Sequence, residues 1–227
     1  MRLILTMVMM VLPVVACAQD APVLKTDKDK LSYAMGMDLG AQLKSKSVDI
    51  DPSLFAAGLK DALAGRKTTL TVEEAKAAIS ELQKGLAVKQ AALAKAVGDR
   101  NKAEGDAFLA ANKAKPGVVT LPSGLQYRIL TAGTGKKPTA TDTVVCHYRG
   151  TLIDGKEFDS SFKAGAPATF PVGQVIRGWT EVLQLMPVGS KWQVFIPSNL
   201  AYAERGASAD IGPNATLIFE IELIAIK

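Results

Sequence analysis

The sequence contains few of the residues that usually carry thiol, metal or acid–base chemistry. Its 227 residues include one histidine, His147, and two cysteines, Cys17 and Cys146. On an alternating strand His147 points away from Cys146, so we expect neither a Cys–His or Ser–His pair nor a zinc cluster. Once Cys17 is removed or lipidated, Cys146 lacks an intrachain partner for a disulfide. These absences predict a protein without a metal, a cofactor or a nucleophilic mechanism.

Charge of either sign is spread thinly along the chain. Residues 1–115 hold 17 Lys and Arg against 13 Asp and Glu, and residues 116–227 hold 10 against 9. Because there is no dense basic block, we expect no nucleic-acid partner. Aromatic residues are scarce in the first half, since three of the 13 precede residue 116 and ten follow it. The contrast predicts helices in the Ala- and Lys-rich first half and a β-rich domain with a pocket in the second.

The chain starts with an apolar run that is too short to span a membrane. Residues 3–15 are almost wholly apolar and have the length of a signal-peptide core. Two interpretations of the next residues remain open. Ala16-Cys17-Ala18 fits cleavage after Ala18, whereas Val14-Val15-Ala16-Cys17 resembles the lipobox of bacterial lipoproteins. We predict a signal segment at residues 1–18, a lipid on Cys17 as the only membrane contact, and export to the cell envelope, in the outer membrane or periplasm.

Residues 19–70 predict two short amphipathic helices. Apolar residues recur every four positions in the first helix, at Leu31, Met35, Leu39 and Leu43. The second helix begins at Asp51-Pro52-Ser53 and has an apolar face of its own. Two short helices bury little surface alone, so we predict that this region is a dimerisation domain and that the protein is a homodimer. The alternative is that both helices pack on the third helix of their own chain.

Residues 71–115 predict one long connecting helix. Thr71 and Glu74 form a capping box, and nothing stops the helix firmly before Pro116-Gly117. A heptad-like apolar stripe continues as far as Val97 and then gives way to charged residues and Asn101. A helix that is polar all round typically runs through solvent, so we expect its second half to hold two domains apart.

After residue 116 the apolar period changes to two, which predicts strands around one short helix at residues 181–186. Four ordered blocks in this half resemble the FK506-binding type of peptidyl-prolyl isomerase: His147 to Gly150 (HYRG), Asp154 to Ser161 (DGKEFDSS), Val175 to Trp179 (VIRGW) and Ala215 to Phe219 (ATLIF). With residues 121–127 and the helical first half included, the sequence is most similar to the macrophage infectivity potentiator group of bacterial surface isomerases.

The resemblance implies an α+β fold. A helical N-terminal dimerisation domain and a long connecting helix precede an isomerase domain at residues 116–227. In the family this domain is a bent antiparallel sheet wrapped around a short helix.

The resemblance also implies a site. The proline ring of the substrate lies over Trp179, and the other implied contacts are Tyr148, Phe158, Phe170, Val175, Ile211 and Phe219. The Ile176 N–H and the Tyr202 hydroxyl are the implied donors to substrate carbonyls. Asp159 is the polar group of the wall, which orients a tyrosine hydroxyl or polarises the bond. Two plainer interpretations remain open, with Trp179 as a core residue and Asp159 as a turn cap.

Three positions depart from the family pattern. No arginine follows Asp159 closely, Ala168 replaces the first phenylalanine of a Phe-x-Phe pair, and Ala203 follows Tyr202 where glycine is usual. These changes predict a pocket that is wider on one side. Residues 204–213 are expected to form a mobile loop over the pocket.

Together these features predict an exported enzyme that isomerises X-Pro bonds of exported, envelope or host proteins and so assists their folding. Its expected partners are proline-containing polypeptides, a second copy of the chain, and macrolide inhibitors of the FK506 and rapamycin type. The alternative is a binding module, either a holding chaperone or a surface ligand-binding protein, in which isomerisation is incidental.

Overall fold

The computed structural model describes residues 22–227, so Cys17 and the predicted signal segment lie outside the described residues. The helices in this part of the chain are α1 (Asp27–Ser45), α2 (Pro52–Leu63), α3 (Val72–Asn112) and α4 (Arg177–Leu183). The strands are β1 (Val118–Thr120), β2 (Gln126–Thr131), β3 (Thr143–Leu152), β4 (Glu157–Ser160), β5 (Ala168–Pro171), β6 (Lys191–Ile196) and β7 (Leu217–Ile226). The predicted α+β fold is confirmed. The chain divides into two compact units, one that ends at Ala75 and one that runs from Lys76 to Lys227.

The first unit contains α1 and α2, which begin where the sequence supplies caps. Thr26 accepts from the Asp29 N–H at 3.1 Å, and Asp29 accepts from the Thr26 N–H at 2.8 Å. Asp51 caps α2, whose first residue is Pro52. Neither helix contains a buried residue. The predicted apolar faces therefore lie open in the single chain, with exposed side chains at Leu31, Met35, Leu39, Leu54, Phe55, Leu59 and Leu63.

The third helix, α3, is continuous over 41 residues. It begins at the predicted capping box, where the Thr71 hydroxyl accepts from the Glu74 N–H at 3.2 Å. The expectation that its second half is polar all round and surrounded by solvent is wrong, because four residues there are buried: Gly98, Gly105, Leu109 and Asn112.

The second half of α3 packs on residues of the C-terminal half through small and polar side chains. A Cβ at Gly105 would collide with the Thr216 hydroxyl, so only glycine permits this approach. The Asn112 amide donates to the Gln126 side chain at 3.0 Å, and Gln126 donates to the Leu109 carbonyl at 2.9 Å. Both amides are buried, and a buried polar group left without a partner costs about 1–3 kcal/mol. This exchange of hydrogen bonds therefore fastens the end of α3 to β2.

The second unit is built on a seven-stranded antiparallel sheet with the path β1-β2-β6-β7-β3-β4, and β5 pairs with β3. In β7 the buried residues alternate with more exposed ones, as expected for a strand with one covered face, at Leu217, Phe219, Ile221 and Leu223. The short helix α4 joins the same buried cluster through Trp179, Val182 and Leu183. None of the helices in residues 22–227 is both long and apolar enough to cross a bilayer.

Candidate active site

A cavity of about 490 Å³ opens beside α4 in the second unit. All but one of the residues that the resemblance assigns to substrate binding or catalysis line it. The lining residues are Tyr148, Phe158, Asp159, Phe170, Gln174, Val175, Ile176, Trp179, Tyr202 and Phe219. They come from β3, β4, β5, β7, α4 and the segments before α4 and after β6, so the fold gathers positions that are far apart in sequence.

Trp179 lies at the centre of the aromatic contacts in this cavity. It sits in the first turn of α4, and Gly178 lets that turn approach β6, because a Cβ there would lie 2.5 Å from the Ile196 Cγ2. Phe170 and Phe219 meet the Trp179 ring edge-to-face, with centroids 5.4 Å and 5.3 Å away. Trp179 is 4% exposed, which suits both a core residue and the floor of a narrow cup. Edge-to-face packing of this kind adds about 0.5–1.5 kcal/mol per pair and fixes the ring planes.

Tyr148 belongs to this aromatic group. Within the described residues, it also makes the one hydrogen bond between two side chains of the cavity wall. Its ring meets Trp179 edge-to-face at 5.4 Å, and its hydroxyl donates to the Asp159 Oδ2 at 2.7 Å. Burial raises the pKa of Tyr148, and the hydrogen bond to Asp159 raises it further. The phenol therefore stays protonated and keeps donating at neutral pH. Asp159 also accepts from the Ser160 N–H at 2.8 Å, so one carboxylate both caps its turn and orients a tyrosine.

Several residues that line the cavity carry a hydrogen-bond donor without a protein acceptor in the described residues. Among them are the backbone N–H of Ile176, which precedes α4, the hydroxyl of Tyr202 and the buried indole N–H of Trp179. Tyr202 is 38% exposed, which leaves its ring accessible to a ligand. The rest of the lining is mainly apolar, so a ligand with carbonyl groups next to an apolar ring would match this surface.

Two positions differ from the sequence-based site. Ile211 is 6% exposed and belongs to the buried cluster, and the structure places it in the core rather than in the cavity wall. The reason is local pairing, because Ala207 and Ile211 exchange backbone hydrogen bonds of 2.8 Å and 3.1 Å that turn this segment inwards. Gln174 also lines the cavity, but no sequence motif marks it, since it lies in a short 3₁₀ turn.

The residues with nucleophilic or metal-binding chemistry lie elsewhere. His147 stacks on Phe162 with centroids 4.6 Å apart, and its Nδ1 is 3.0 Å from the Ser161 hydroxyl. Cys146 is fully buried, and burial raises the pKa of its thiol to about 12, which keeps it protonated and unreactive. In residues 22–227 no group of three or more His, Cys, Asp and Glu could hold a metal ion.

The cavity is suited to chemistry that needs no proton transfer. An apolar aromatic cup with hydrogen-bond donors in its wall can hold a neutral amide, exclude water around it and orient its neighbouring carbonyls. Fold and cavity together define a small antiparallel-sheet domain with an apolar, peptide-sized pocket.

Comparison with known proteins identifies the family to which this domain belongs. A family model described as FKBP-type peptidyl-prolyl cis-trans isomerase matches residues 134–224, and one described as the domain amino terminal to it matches residues 28–129. The chain therefore belongs to the FKBP-type peptidyl-prolyl cis-trans isomerases, and it is an enzyme that interconverts the cis and trans forms of X-Pro bonds.

Individual relatives extend the match over nearly the whole chain. The Legionella longbeachae protein named outer membrane protein MIP is 56% identical over 92% of this chain and 90% of its own length. The Coxiella burnetii peptidyl-prolyl cis-trans isomerase Mip is 44% identical over 100% of this chain and 98% of its own. The crystal structure of FkpA from Escherichia coli superposes with a TM-score of 0.70 at 34% identity, covering 90% of this chain and 99% of that one.

Proposed function

We propose that the isomerase binds the X-Pro bond of its substrates in the cavity around Trp179. The observation that carries this proposal is an apolar aromatic cup combined with donors that have no protein acceptor in residues 22–227, among them the Ile176 N–H and the Tyr202 hydroxyl. The proline ring packs on Trp179, and the two donors bind the carbonyls on either side of the amide. The other contacts are Tyr148, Phe158, Phe170, Val175 and Phe219, while Ile211 supports the wall from the core.

The proposed mechanism rests on desolvation. Rotation about the peptide C–N bond is opposed by amide resonance, a barrier of about 18–20 kcal/mol. The planar amide is more polar than the twisted one, so removing it from water destabilises the planar form more and lowers the barrier. The fixed donors hold the flanking carbonyls while the bond rotates. Asp159 contributes by holding the Tyr148 hydroxyl at 2.7 Å and with it the ring that meets Trp179.

Two substitutions and one control test these roles. Tyr202→Phe removes one neutral hydrogen bond, so we expect a loss in kcat/KM of about 2- to 10-fold, which corresponds to about 0.5–1.5 kcal/mol. Asp159→Leu should cost more, because it releases the Tyr148 hydroxyl and puts branched carbon in the wall. The control is Asp154→Leu, since Asp154 also caps a turn, by accepting from the Lys156 N–H at 2.9 Å, but does not line this cavity. Wild-type activity in Asp159→Leu would reduce Asp159 to a turn cap.

We also propose that macrolides of the FK506 and rapamycin type bind in this cavity in competition with peptide. Support comes from its volume of about 490 Å³ and from its mainly apolar wall. Inhibition of peptide isomerisation that is competitive with substrate would support this proposal, and inhibition unaffected by peptide concentration would contradict it.

A homodimer is the assembly we propose, formed by residues 27–70 of each chain. The support is the set of apolar side chains that a single chain leaves open in α1 and α2, none of whose residues is buried. Helices of 19 and 12 residues have little stability without a partner surface. Light scattering on the mature chain should give about twice the mass of one chain.

For the envelope location we propose export and a lipid on Cys17. The support is the apolar run that ends in Val14-Val15-Ala16-Cys17, together with a relative at 56% identity that is named an outer membrane protein. Exported, envelope or host proteins with X-Pro bonds are then the proposed substrates. Mass spectrometry of the mature N-terminus decides between the two processing sites. A free N-terminus at Gln19 would exclude the lipid.

A second candidate function, holding unfolded chains, is favoured by the same open apolar faces of α1 and α2. An unfolded protein bound there would raise the local concentration of its prolines at the active sites without new chemistry. Residues 76–227 alone should then isomerise a short proline peptide as fast as the whole mature chain but be slower in proline-limited refolding of a protein. Equal rates in both assays would assign the helices to dimerisation alone.

A further inference from the structure

The second half of α3 contacts the segment that carries Tyr202. We call residues 202–216 the pocket loop, because it begins at Tyr202 in the cavity wall and ends at the start of β7. The Asn101 amide donates to the Pro213 carbonyl at 2.8 Å. A Cβ at Gly98 would lie 3.2 Å from the Pro213 Cβ, which is tight packing. The C-terminal part of the pocket loop, around Pro213, thus packs on α3, which lies more than one hundred residues earlier in the chain.

A backbone hydrogen bond next to Tyr202 links the start and the end of the pocket loop. Ala203 directly follows Tyr202, and its carbonyl accepts a hydrogen bond of 2.7 Å from the Asn214 N–H. Ala203 and Asn214 have φ angles of +48° and +54°, in the left-handed region that favours glycine. Residues in that region cost of order 1–3 kcal/mol and persist where surrounding contacts hold them. A displacement of Pro213 therefore changes the backbone conformation at the base of the Tyr202 side chain.

Further contacts within the pocket loop and with the core restrain its conformation. Ala207 and Ile211 exchange two backbone hydrogen bonds, and Ile211 is anchored in the core. The Lys156 ammonium lies 2.8 Å from the Asp210 carboxylate, but both side chains are about half exposed, so this pair adds little rigidity. The contact between Asn101 and Pro213 is half-buried, and it is the side-chain hydrogen bond that joins α3 to this loop in the described residues.

We propose that Asn101 is a positioning residue for the isomerase. By binding the Pro213 carbonyl it fixes the positions of Pro213, Asn214 and Ala203, and so determines where the Tyr202 hydroxyl points in the cavity. The catalytic unit of this protein therefore includes the second half of α3. This inference rests on the role proposed above for Tyr202, and the experiment separates the two.

The test uses the mature full-length chain. Asn101→Asp keeps the shape of the side chain but replaces the donor with a carboxylate that repels the Pro213 carbonyl. The control Gln90→Glu makes the same chemical change at an exposed position of the same helix. We expect Asn101→Asp to lower kcat/KM on a proline peptide by about 2- to 10-fold, the range for one neutral hydrogen bond, and Gln90→Glu to leave it unchanged.

Two further measurements distinguish positioning from general damage. In a Tyr202→Phe background, Asn101→Asp should cost less than about 2-fold, because both changes act on the same hydroxyl. Amide hydrogen exchange at Asn214 should become faster in Asn101→Asp while exchange in β3 and β7 stays slow. Additive losses in the double variant, or unchanged exchange at Asn214, would overturn the proposal. If Tyr202→Phe alone costs nothing, the proposed role of its hydroxyl fails, and the exchange and activity of Asn101→Asp still decide whether α3 positions the loop.

Gly98→Ala gives a second test that does not depend on Asn101. Alanine is the better helix former by about 0.8–1.0 kcal/mol, so on local grounds this change stabilises α3. Its Cβ would nevertheless push on Pro213 and Asn214, each 3.2 Å away. We expect kcat/KM to fall at least 2-fold while the melting temperature stays the same or rises. Full activity in both Gly98→Ala and Asn101→Asp would mean that α3 only supports the fold.

Discussion

The two units of this chain differ in where their stability comes from. In the described part of the first unit, α1 and α2 have good caps and apolar faces but no buried residue. The second unit has a continuous buried cluster that runs from Leu125 to Leu223 and includes both tryptophans. Capping therefore explains where the first helices begin, whereas only core packing explains why the second unit holds one conformation.

This contrast also concerns α3, which crosses the boundary at Ala75. Its apolar residues near the start are open, for example Ile79 at 56% exposed, whereas Leu109 near its end is 9% exposed. One helix is thus exposed near its start and partly buried near its end.

The largest effect should follow from cutting the chain at residue 116. The resemblance implies an isomerase domain at residues 116–227, but in the structure this cut removes Leu109 and Asn112, which are buried. Loss of a large buried apolar side chain costs about 2–5 kcal/mol, and an unpaired Gln126 amide adds about 1–3 kcal/mol. We expect residues 116–227 to be less stable than residues 76–227 by several kcal/mol in urea unfolding. Equal midpoints and slopes would show that α3 contributes nothing to this core.

A charge in the first unit should change assembly and leave the second unit intact. Leu59 in α2 is 51% exposed, and Leu59→Glu puts a carboxylate into the proposed dimer interface. We expect light scattering to report half the wild-type mass, with peptide isomerisation unchanged. The matched control is Leu130→Glu, because Leu130 is 41% exposed but lies in β2 of the second unit. If both variants keep the wild-type mass, α2 is not at an interface.

The second unit should also contain a tyrosine that titrates late. The pKa of Tyr148 is raised, first by burial and then by the hydrogen bond to Asp159. A raised pKa on folding means that its contribution to stability is complete below the ordinary tyrosine value of about 10 and is lost as the pH rises through the folded value. Ultraviolet titration should show a late ionisation step that Tyr148→Phe removes and Tyr33→Phe leaves in place. Loss of the same step in both variants would contradict this.

The smallest effect concerns the backbone at Ala203. Its φ of +48° costs an alanine of order 1–2 kcal/mol relative to glycine, which accepts this conformation freely. Ala203→Gly should therefore stabilise the second unit by up to about 1 kcal/mol, after the greater flexibility of glycine in the unfolded chain is subtracted. Thermal unfolding measures the shift. A lower melting temperature would show that the Ala203 methyl makes contacts that outweigh the strain.

Much of the site could be predicted from the sequence because its residues occur in ordered blocks. Trp179, Tyr148 and Asp159 each lie in a block with a fixed neighbour, and the structure brings all three to one cavity. Gln174 and Ile211 show the limit of this approach. Both lie in irregular segments, where neither periodicity nor spacing indicates which way a side chain points.

The packing of α3 could not be predicted from hydrophobic periodicity. Glycine is a poor helix former, yet the missing side chain of Gly105 is what lets Thr216 approach α3. Asn101 belongs to the polar run from which the sequence predicts a solvent-surrounded helix, although its amide donates to the Pro213 carbonyl, and Asn112 near the end of α3 donates to Gln126. Tertiary hydrogen bonds and close backbone approach use residues that hydropathy patterns count as neutral or unfavourable.

The two tryptophans give the protein an internal optical reporter. Trp179 lines the cavity, whereas Trp192 stacks on Tyr127 with ring centroids 4.3 Å apart and does not line that cavity. With only two indoles in the chain, replacing Trp192 by phenylalanine leaves a single emitter at the proposed binding site. Intrinsic fluorescence can then follow the arrival of an unlabelled peptide or macrolide directly, so binding and turnover can be measured separately on the same molecule.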